Sequence, residues 1–376
     1  MKWNSFRLGI HNLAFISISG LGGFLLSLTG LSIGWMVGTL ISAGALSLWR
    51  PKRIALLQRK NGIESYWLKI GQLMLGIQLG QQINLTVFRI FGQNWVTMTG
   101  MILASIVIAL ITGLMLFRFS KTDLVTSLYG TTPGGLSSMI GIAADVGANT
   151  AVVGIIQTMR VILVVSTLPL AVSLWGGEGG GETVSELAPP LTQSSCAGLL
   201  AVSAMALFGC FISKAARLPA PWLIGSMMGV GAAQVLSDLA FGHDLAVWWP
   251  NGLIIIAQLM IGASVGSKLN RAMFAGLARA AVIGVLGSLG LMAAMVVCSL
   301  VVSRLTRINA VTSILAFSPG GIAEMAATSV VLHADSTFVV AVQVLRVLAI
   351  CLFLPPFFRL MGKLAADKKT SASRAG

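Results

Sequence analysis

Long apolar runs alternate with short polar segments along the whole chain of 376 residues. Each run holds about 20 residues, which is enough for one helix to cross the hydrocarbon core of a bilayer. The runs predict five spans in each half, with bounds 10–29, 31–49, 67–84, 94–117 and 150–174, then 195–213, 219–240, 251–267, 279–302 and 336–358. The pattern therefore predicts an all-α polytopic membrane protein.

The second half of the chain repeats the first at a constant offset. Pro133-Gly134-Gly135 recurs as Pro319-Gly320-Gly321, and Gln72-Leu73-Met74 recurs as Gln258-Leu259-Met260, in both cases 186 residues further on. A gapless match of this length indicates a duplication, which in a membrane protein is typical of a transporter whose site lies where the halves meet. The predicted divisions are a first membrane repeat (1–175), a glycine-rich acidic periplasmic linker (176–193), a second membrane repeat (194–362) and a basic cytoplasmic tail (363–376).

Composition supports residence in a membrane. Hydrophobic residues make up 56% of the chain and charged residues only 10%, and the mean hydropathy is +0.90. A soluble domain of this length could not bury so much apolar surface, whereas a bilayer removes the need. The bilayer is therefore the first expected partner.

The net charge of +14 predicts orientation rather than binding to nucleic acid. Lys and Arg concentrate in the short loops between spans, and such loops face the cytoplasm. The basic loop Arg50–Lys60 corresponds to Asp238–Val247, which contains neither Lys nor Arg, whereas Arg304 and Arg307 do not follow this alternation. The charges favour two inverted five-span repeats in the inner membrane, each with one re-entrant or broken segment and with both termini cytoplasmic.

The two Pro-Gly-Gly segments are candidate site elements. A proline followed by two glycines removes a backbone donor and weakens helical preference. Unpaired backbone in lipid costs several kcal/mol, so such a break is tolerated only inside protein or beside a water-filled cavity. The half-helix that follows each break would point free N–H groups at an anion. The alternative is a kink that only shapes packing. The residues that we expect to shape a substrate site are Pro133, Gly134, Gly135, Pro319, Gly320 and Gly321.

Two Gln-x-x-Arg motifs are the candidate ligand-binding residues. Gln157 and Arg160 recur as Gln343 and Arg346 at the same offset, deep in two predicted spans. A buried Arg is costly in a bilayer and must face a partner or a cavity. The two motifs could hold a carboxylate or a similar anion between them. Alternatively, each arginine is neutralised within the protein; the candidate acids are Asp145, Glu324 and Asp123.

Glu324 is the strongest candidate for coupling. It lies four residues after Gly320, and its counterpart in the first repeat is Ser138. An unmatched carboxylate in an otherwise symmetric site could bind a coupling proton or Na⁺. Asp145 is a further coupling candidate. Apart from such an ion, no cofactor is expected.

The twofold Pro-Gly-Gly and Gln-x-x-Arg pattern, with the shared Gln-Leu-Met segments, resembles the AbrB-duplication family of bacterial membrane proteins. The resemblance covers residues 10–360. Members carry the labels AbrB family transcriptional regulator and ammonia monooxygenase. The family is also similar to cation/proton antiporters and bile-acid-type transporters. That kinship implies 5+5 inverted repeats with crossed broken helices, and a site where Gly134 and Gly135 face Gly320 and Gly321.

Neither label agrees with the residues. The chain has three histidines, His11, His243 and His333, too scattered for a copper centre, so we expect no monooxygenase and no enzyme. No polar segment is long enough for a DNA-binding domain, so no direct nucleic-acid partner is expected. The expected function is secondary transport of a small anionic solute by alternating access. The alternative is an indirect effect on gene expression, as a sensor or a partner-binding regulator. A homodimer is a candidate assembly.

Overall fold

The computed structural model describes residues 2–29, 34–49, 63–83, 85–120, 122–134, 139, 143–144, 146–175, 193–216, 218, 220–241, 250–269, 278–306, 308–350 and 353–354. Within these ranges every regular element is helical, and the helices number thirteen. They are α1 (Lys2–Ser27), α2 (Gly34–Trp49), α3 (Ser65–Gly80), α4 (Leu85–Ser120), α5 (Leu124–Thr131), α6 (Thr150–Trp175), α7 (Gln193–Ala215), α8 (Pro221–Phe241), α9 (Asn251–Gly266), α10 (Ala278–Leu305), α11 (Ala310–Phe317), α12 (Ile322–Val331) and α13 (Ser336–Ile350). The predicted all-α membrane protein is confirmed.

Four of the described helices are long and apolar enough to cross a bilayer alone. They are the segments Asn94–Ser120, Thr150–Ser173, Gly198–Ala215 and Arg279–Leu305. Shorter apolar helices cover other predicted spans, including Gly34–Trp49 and Gly252–Gly266. The count of ten spans, the inversion of the repeats and the cytoplasmic termini stay predictions.

The helices pack into two compact units that take equivalent elements from both repeats. The first unit comprises Met1–Asn94, Val165–Asn270 and Ile322–Val340, and the second comprises Trp95–Val164, Arg271–Gly321 and Ala341–Gly376. The first unit therefore contains α1 to α3 together with their counterparts α7 to α9. The second contains α5 and its counterpart α11. The chain passes from the second unit to the first between Gly321 and Ile322, directly after a Pro-Gly-Gly break.

Glycines at equivalent positions of the two repeats allow helices of the first unit to pack closely. A Cβ at Gly76 of α3 would lie 2.5 Å from the carbonyl oxygen of Leu223 in α8. At the equivalent Gly262 of α9, a Cβ would lie 2.6 Å from the carbonyl oxygen of Met36 in α2. Small residues allow helix backbones to approach this closely in membranes. The third helix of each repeat therefore packs on the second helix of the other.

The second unit contains the breaks. The short helices α5 and α11 begin at side-chain caps: an Asp123 oxygen accepts from the Thr126 N–H at 2.9 Å, and Asn309 Oδ1 accepts from the Val311 N–H at 2.8 Å. Both helices end in extended backbone just before a proline. In the second repeat, α11 ends at Phe317 and α12 begins at Ile322, so the predicted break at Pro319-Gly320-Gly321 is observed. Two predicted site residues in the first repeat, Gly135 and Asp145, lie outside the described residues.

Candidate functional site

The first Gln-x-x-Arg motif closes the end of α5. The amide nitrogen of Gln157 donates to the carbonyl oxygens of Tyr129 at 2.9 Å and Thr132 at 2.7 Å. Arg160 donates to the carbonyl oxygen of Thr131 at 2.9 Å and to the side-chain oxygen of Gln157. The last carbonyls of a helix have no partner within it. Two side chains of α6 therefore supply the donors that α5 lacks.

The second motif repeats these four bonds 186 residues further on and adds two from Arg346. The amide nitrogen of Gln343 donates to the carbonyl oxygens of Leu315 at 2.9 Å and Ser318 at 3.1 Å. Arg346 donates to the carbonyl oxygens of Phe317 at 3.4 Å and Gly320 at 3.3 Å. It also donates to the carbonyl of Ser318 and to the side chain of Gln343. The break in α11–α12 is thus tied to α13.

Helix ends partly neutralise both arginines. Arg160 is only 3% exposed and Arg346 only 2%. Among the described residues, their acceptors are backbone carbonyls and a glutamine oxygen rather than carboxylates. A cation at a helix C-terminus is favoured because the carbonyl end of the helix dipole is negative. Helix ends are thus a third means of compensating the arginine charges. The sequence analysis considered two others, a bound anion and an acidic side chain of the protein.

The two guanidinium groups retain positive charge and donor capacity. The charge of Arg346 reaches the guanidinium group of Arg160. The Nε atoms of both are buried and have no hydrogen-bond partner among the described residues. The side-chain amide of each glutamine, by contrast, donates both of its hydrogens to backbone carbonyl oxygens. The arginines, not the glutamines, are left with N–H groups for a further acceptor.

The break residues pack beside these clusters. Pro133, Gly134 and Pro319 are buried, and the carbonyl of Gly320 accepts from Arg346. A Cβ at Gly134 would meet the end of the Met139 side chain and lie 2.8 Å from the Cγ2 atom of Ile350, so a larger residue would displace these side chains. The structure therefore brings together Pro133, Gly134, Gln157 and Arg160 in one cluster, and Pro319, Gly320, Gln343 and Arg346 in another.

Glu324 belongs to the first unit and faces a different partner. It lies in the first turn of α12, is 8% exposed, and is attracted by Lys268, two residues beyond α9. Burial lowers the pKa of the Lys268 ammonium, and the charge of Glu324 acts in the opposite direction. A carboxylate in the first turn is favoured by the positive end of the helix dipole. An anion drawn to the start of α12 would therefore meet an acid of the chain itself.

The charge that acts on Glu324 is that of Lys268, a residue that the sequence analysis does not single out. Its counterpart in the first repeat is Gln82, just as the counterpart of Glu324 is Ser138. Both members of the pair are charged in one repeat and neutral in the other. A comparison of the repeats for positions that gain charge together would have found it.

These features define an all-α membrane protein with duplicated, broken helices, and comparisons with known proteins agree. Residues 13–362 match the family model described as "Transition state regulatory protein AbrB", and the chain belongs to this AbrB family. It is 46% identical to "Uncharacterized protein YhjN" of Bacillus subtilis (strain 168) over 370 residues, covering 97% of this chain and 96% of that protein. It is 25% identical to "Putative regulator AbrB" of Escherichia coli (strain K12) over 299 residues, covering 79% and 83%. No solved structure matches the chain.

Proposed function

We propose that this membrane protein is a secondary transporter that moves a small organic anion by alternating access. The observation that carries the proposal is the pair of buried guanidinium groups, Arg160 and Arg346, each bound to the end of a helix that stops at a Pro-Gly-Gly segment. Their Nε atoms have no hydrogen-bond partner among the described residues. A solute anion would offset their like charges and meet these remaining N–H donors.

The charge balance supports a singly charged solute. A helix C-terminus carries a negative charge equivalent to roughly half an elementary charge. The ends of α5 and α11 therefore offset about one of the two arginine charges, so about one positive charge remains. Such a charge is expensive in a membrane interior unless an anion reaches it. One carboxylate or similar group on the solute would meet this need.

The glutamines and the breaks have supporting roles in this proposal. Gln157 and Gln343 hold the arginines by accepting from them while capping the same helix ends. The Pro-Gly-Gly segments free the carbonyls that the arginines bind. Because the chain leaves the second unit directly after Gly321, we expect the backbone to bend at this point during transport.

The proposal assigns coupling to Glu324 and Lys268. These two residues are charged where their counterparts in the first repeat are neutral, and their charges attract each other. Binding of a proton or Na⁺ at Glu324 would weaken that attraction. That change could link the movement of an ion to the movement of the solute. Asp145 is the second acid retained for this role.

A thermal-shift screen of the detergent-purified protein tests the site. The panel contains small organic anions, amines and amino acids. At a concentration 100 times its dissociation constant, a ligand stabilises the folded state by about 2.7 kcal/mol. We expect a monoanion to raise the unfolding temperature of the wild type. The shift should be lost in Arg160→Gln/Arg346→Gln and kept in Arg304→Gln, a control at an exposed arginine of α10.

Uptake of the anion into proteoliposomes then tests transport with the unaltered protein, which avoids any folding defect of the double variant. Stabilisation by amines alone, or an anion shift that persists without both arginines, would contradict the proposed site. Binding without uptake would contradict transport while leaving the site in place.

The names of the family and of one relative favour a second candidate, a membrane regulator. Such a protein would influence gene expression through a solute pool or a membrane-bound partner, without touching DNA. It predicts that cells carrying Arg160→Gln/Arg346→Gln keep the expression profile of the wild type. Under the transport proposal, the profile of the double variant should match that of a deletion strain.

A further inference from the structure

An apolar groove runs between α4 and α10 in the second unit. Its volume is about 900 Å³. Most of the lining is aliphatic or aromatic; it includes Ile111, Met115, Phe119, Val282, Leu286 and Gly290. Several of these side chains are more than half exposed, such as Phe119 at 59% and Leu286 at 61%. On a membrane-spanning helix, an exposed apolar side chain faces hydrocarbon rather than water.

The length of the groove matches one leaflet. At one end, Arg279 Nε donates to the carbonyl oxygen of Phe119 at 2.9 Å. Further along, a Cβ at Gly287 would lie 2.6 Å from the Cγ2 atom of Thr112, and Ile108 lies at the far end. At about 1.5 Å per residue, the helix from Ile108 to Phe119 rises roughly 17 Å. That is about half of a hydrocarbon core of about 30 Å.

The two ends of the groove differ in charge. Arg279 is the charged residue of the lining, and it is exposed. Among the described residues, Phe119 is its hydrogen-bond partner, through Nε, so the terminal nitrogens are available. Arg118, next to Phe119, is exposed as well. Guanidinium groups bind phosphate through paired N–H donors. The opposite end, at Ile108 and Gly290, is apolar.

We infer that this groove binds an anionic phospholipid, with an acyl chain along α4 and α10 and the headgroup phosphate at Arg279. Apolar walls of one-leaflet length fit the chain, and the basic end fits the phosphate. Basic pockets between membrane helices bind anionic headgroups at the cytoplasmic face, which is the side that the charge pattern predicts for Arg118. A helix from a second copy would fill the apolar part but would bury Arg279 without a counter-charge.

Native mass spectrometry of the full chain, released from vesicles of phosphatidylethanolamine and phosphatidylglycerol in equal amounts, tests this site. We expect phosphatidylglycerol to be retained in preference to phosphatidylethanolamine. Arg279→Gln should lower that preference roughly tenfold, the effect of one hydrogen bond to a charged group. Gly290→Leu should reduce retention of both lipids, because a Cβ at Gly290 meets open space and a larger side chain would extend into the groove.

Two matched controls accompany these variants. Arg304→Gln removes an exposed arginine of the same helix outside the groove, and Gly100→Leu adds a side chain where a Cβ also meets open space. Both should retain lipid as the wild type does, and all variants should keep the wild-type unfolding temperature. Equal retention of the two lipids by the wild type, or no effect of Arg279→Gln and Gly290→Leu, would overturn the inference. A dimer that Gly290→Leu dissociates would assign the groove to a second copy instead.

Discussion

The two broken segments are alike in how they are held and different in what they carry. In both, a Gln and an Arg from a following helix bind the carbonyls at equivalent positions, such as Tyr129 and Leu315. Only the second carries the buried acid Glu324 and its partner Lys268. Under the proposed transport function, the repeated bonds would hold the arginines that bind the solute. The unrepeated charges would serve coupling to an ion.

Removal of either arginine tests the repeated part and should have the largest effect. Arg160→Ala removes the side-chain donor of the Thr131 carbonyl, and Arg346→Ala removes those of the Phe317 and Gly320 carbonyls. Hydrogen bonds to charged groups contribute about 1.5–3 kcal/mol each, so each variant should lose roughly 3 kcal/mol or more of unfolding free energy. Denaturant titration in mixed micelles measures the loss, and proteoliposome uptake should fall to background. If only one arginine matters, the two segments are not equivalent.

Neutralisation of Glu324 tests the unrepeated part. Glu324→Gln should make uptake independent of pH while leaving stabilisation by the anion intact, because the arginines are unchanged. Lys268→Gln should give the same phenotype, since it removes the same attraction from the other side. Uptake measured across a pH series compares both with Asp238→Asn, a control at an exposed acid of the first unit. A pH profile that survives Glu324→Gln excludes this residue from coupling.

Substitutions at two equivalent glycines test whether the helix packing of the two repeats is as similar as the hydrogen bonds of their arginines. Gly76→Ala and Gly262→Ala each place a methyl group within 3 Å of a backbone oxygen on another helix. Overpacking of this kind costs about 1–3 kcal/mol, and we expect similar losses in the two variants. Gly100→Ala, where a Cβ meets open space, should be neutral or slightly stabilising. The unfolding temperatures of the three variants in detergent measure these differences in stability.

Changes at the helix caps should have the smallest effect. Asp123→Ala and Asn309→Ala remove the caps of α5 and α11, at a typical cost of about 1 kcal/mol. Asp123→Asn should be nearly neutral, because Asn already serves at the equivalent position. Denaturant titration resolves these differences. A loss in Asp123→Asn as large as in Asp123→Ala would mean that the charge of Asp123 has a role that Asn309 does not share.

Much of the helical framework could be predicted from the sequence. The predicted spans 94–117, 150–174 and 251–267 correspond to the described segments Asn94–Ser120, Thr150–Ser173 and Asn251–Gly266. Apolar length suffices for this because it follows from local composition, and the constant offset identifies the equivalent spans of the two halves. The break in the helix before Ile322 is likewise marked in the sequence, by Pro319-Gly320-Gly321.

The partners of the charged residues were not predictable in the same way. An arginine in a span needs compensation, but the sequence cannot say whether an acid, a ligand or a helix end supplies it. The carbonyl bound by Arg160 lies 29 residues earlier in the chain and belongs to the backbone, which leaves no side-chain signature. Lys268 and Glu324 lie 56 residues apart, and only their joint gain of charge relative to the first repeat marks them as a pair.

The exchange of helices between the repeats has a consequence for biosynthesis and descent. Helix α3 ends at Gly80, and its partner α8 begins at Pro221. At about 5–20 residues per second of synthesis, α3 waits roughly 7 to 30 s for that partner. During this interval, the face of α3 that contains Gly76 has no α8 to pack against and is exposed to the translocon and its chaperones. Before the gene duplicated, the same contact could have formed only between two separate copies, so the ancestral repeat would have made it as a dimer.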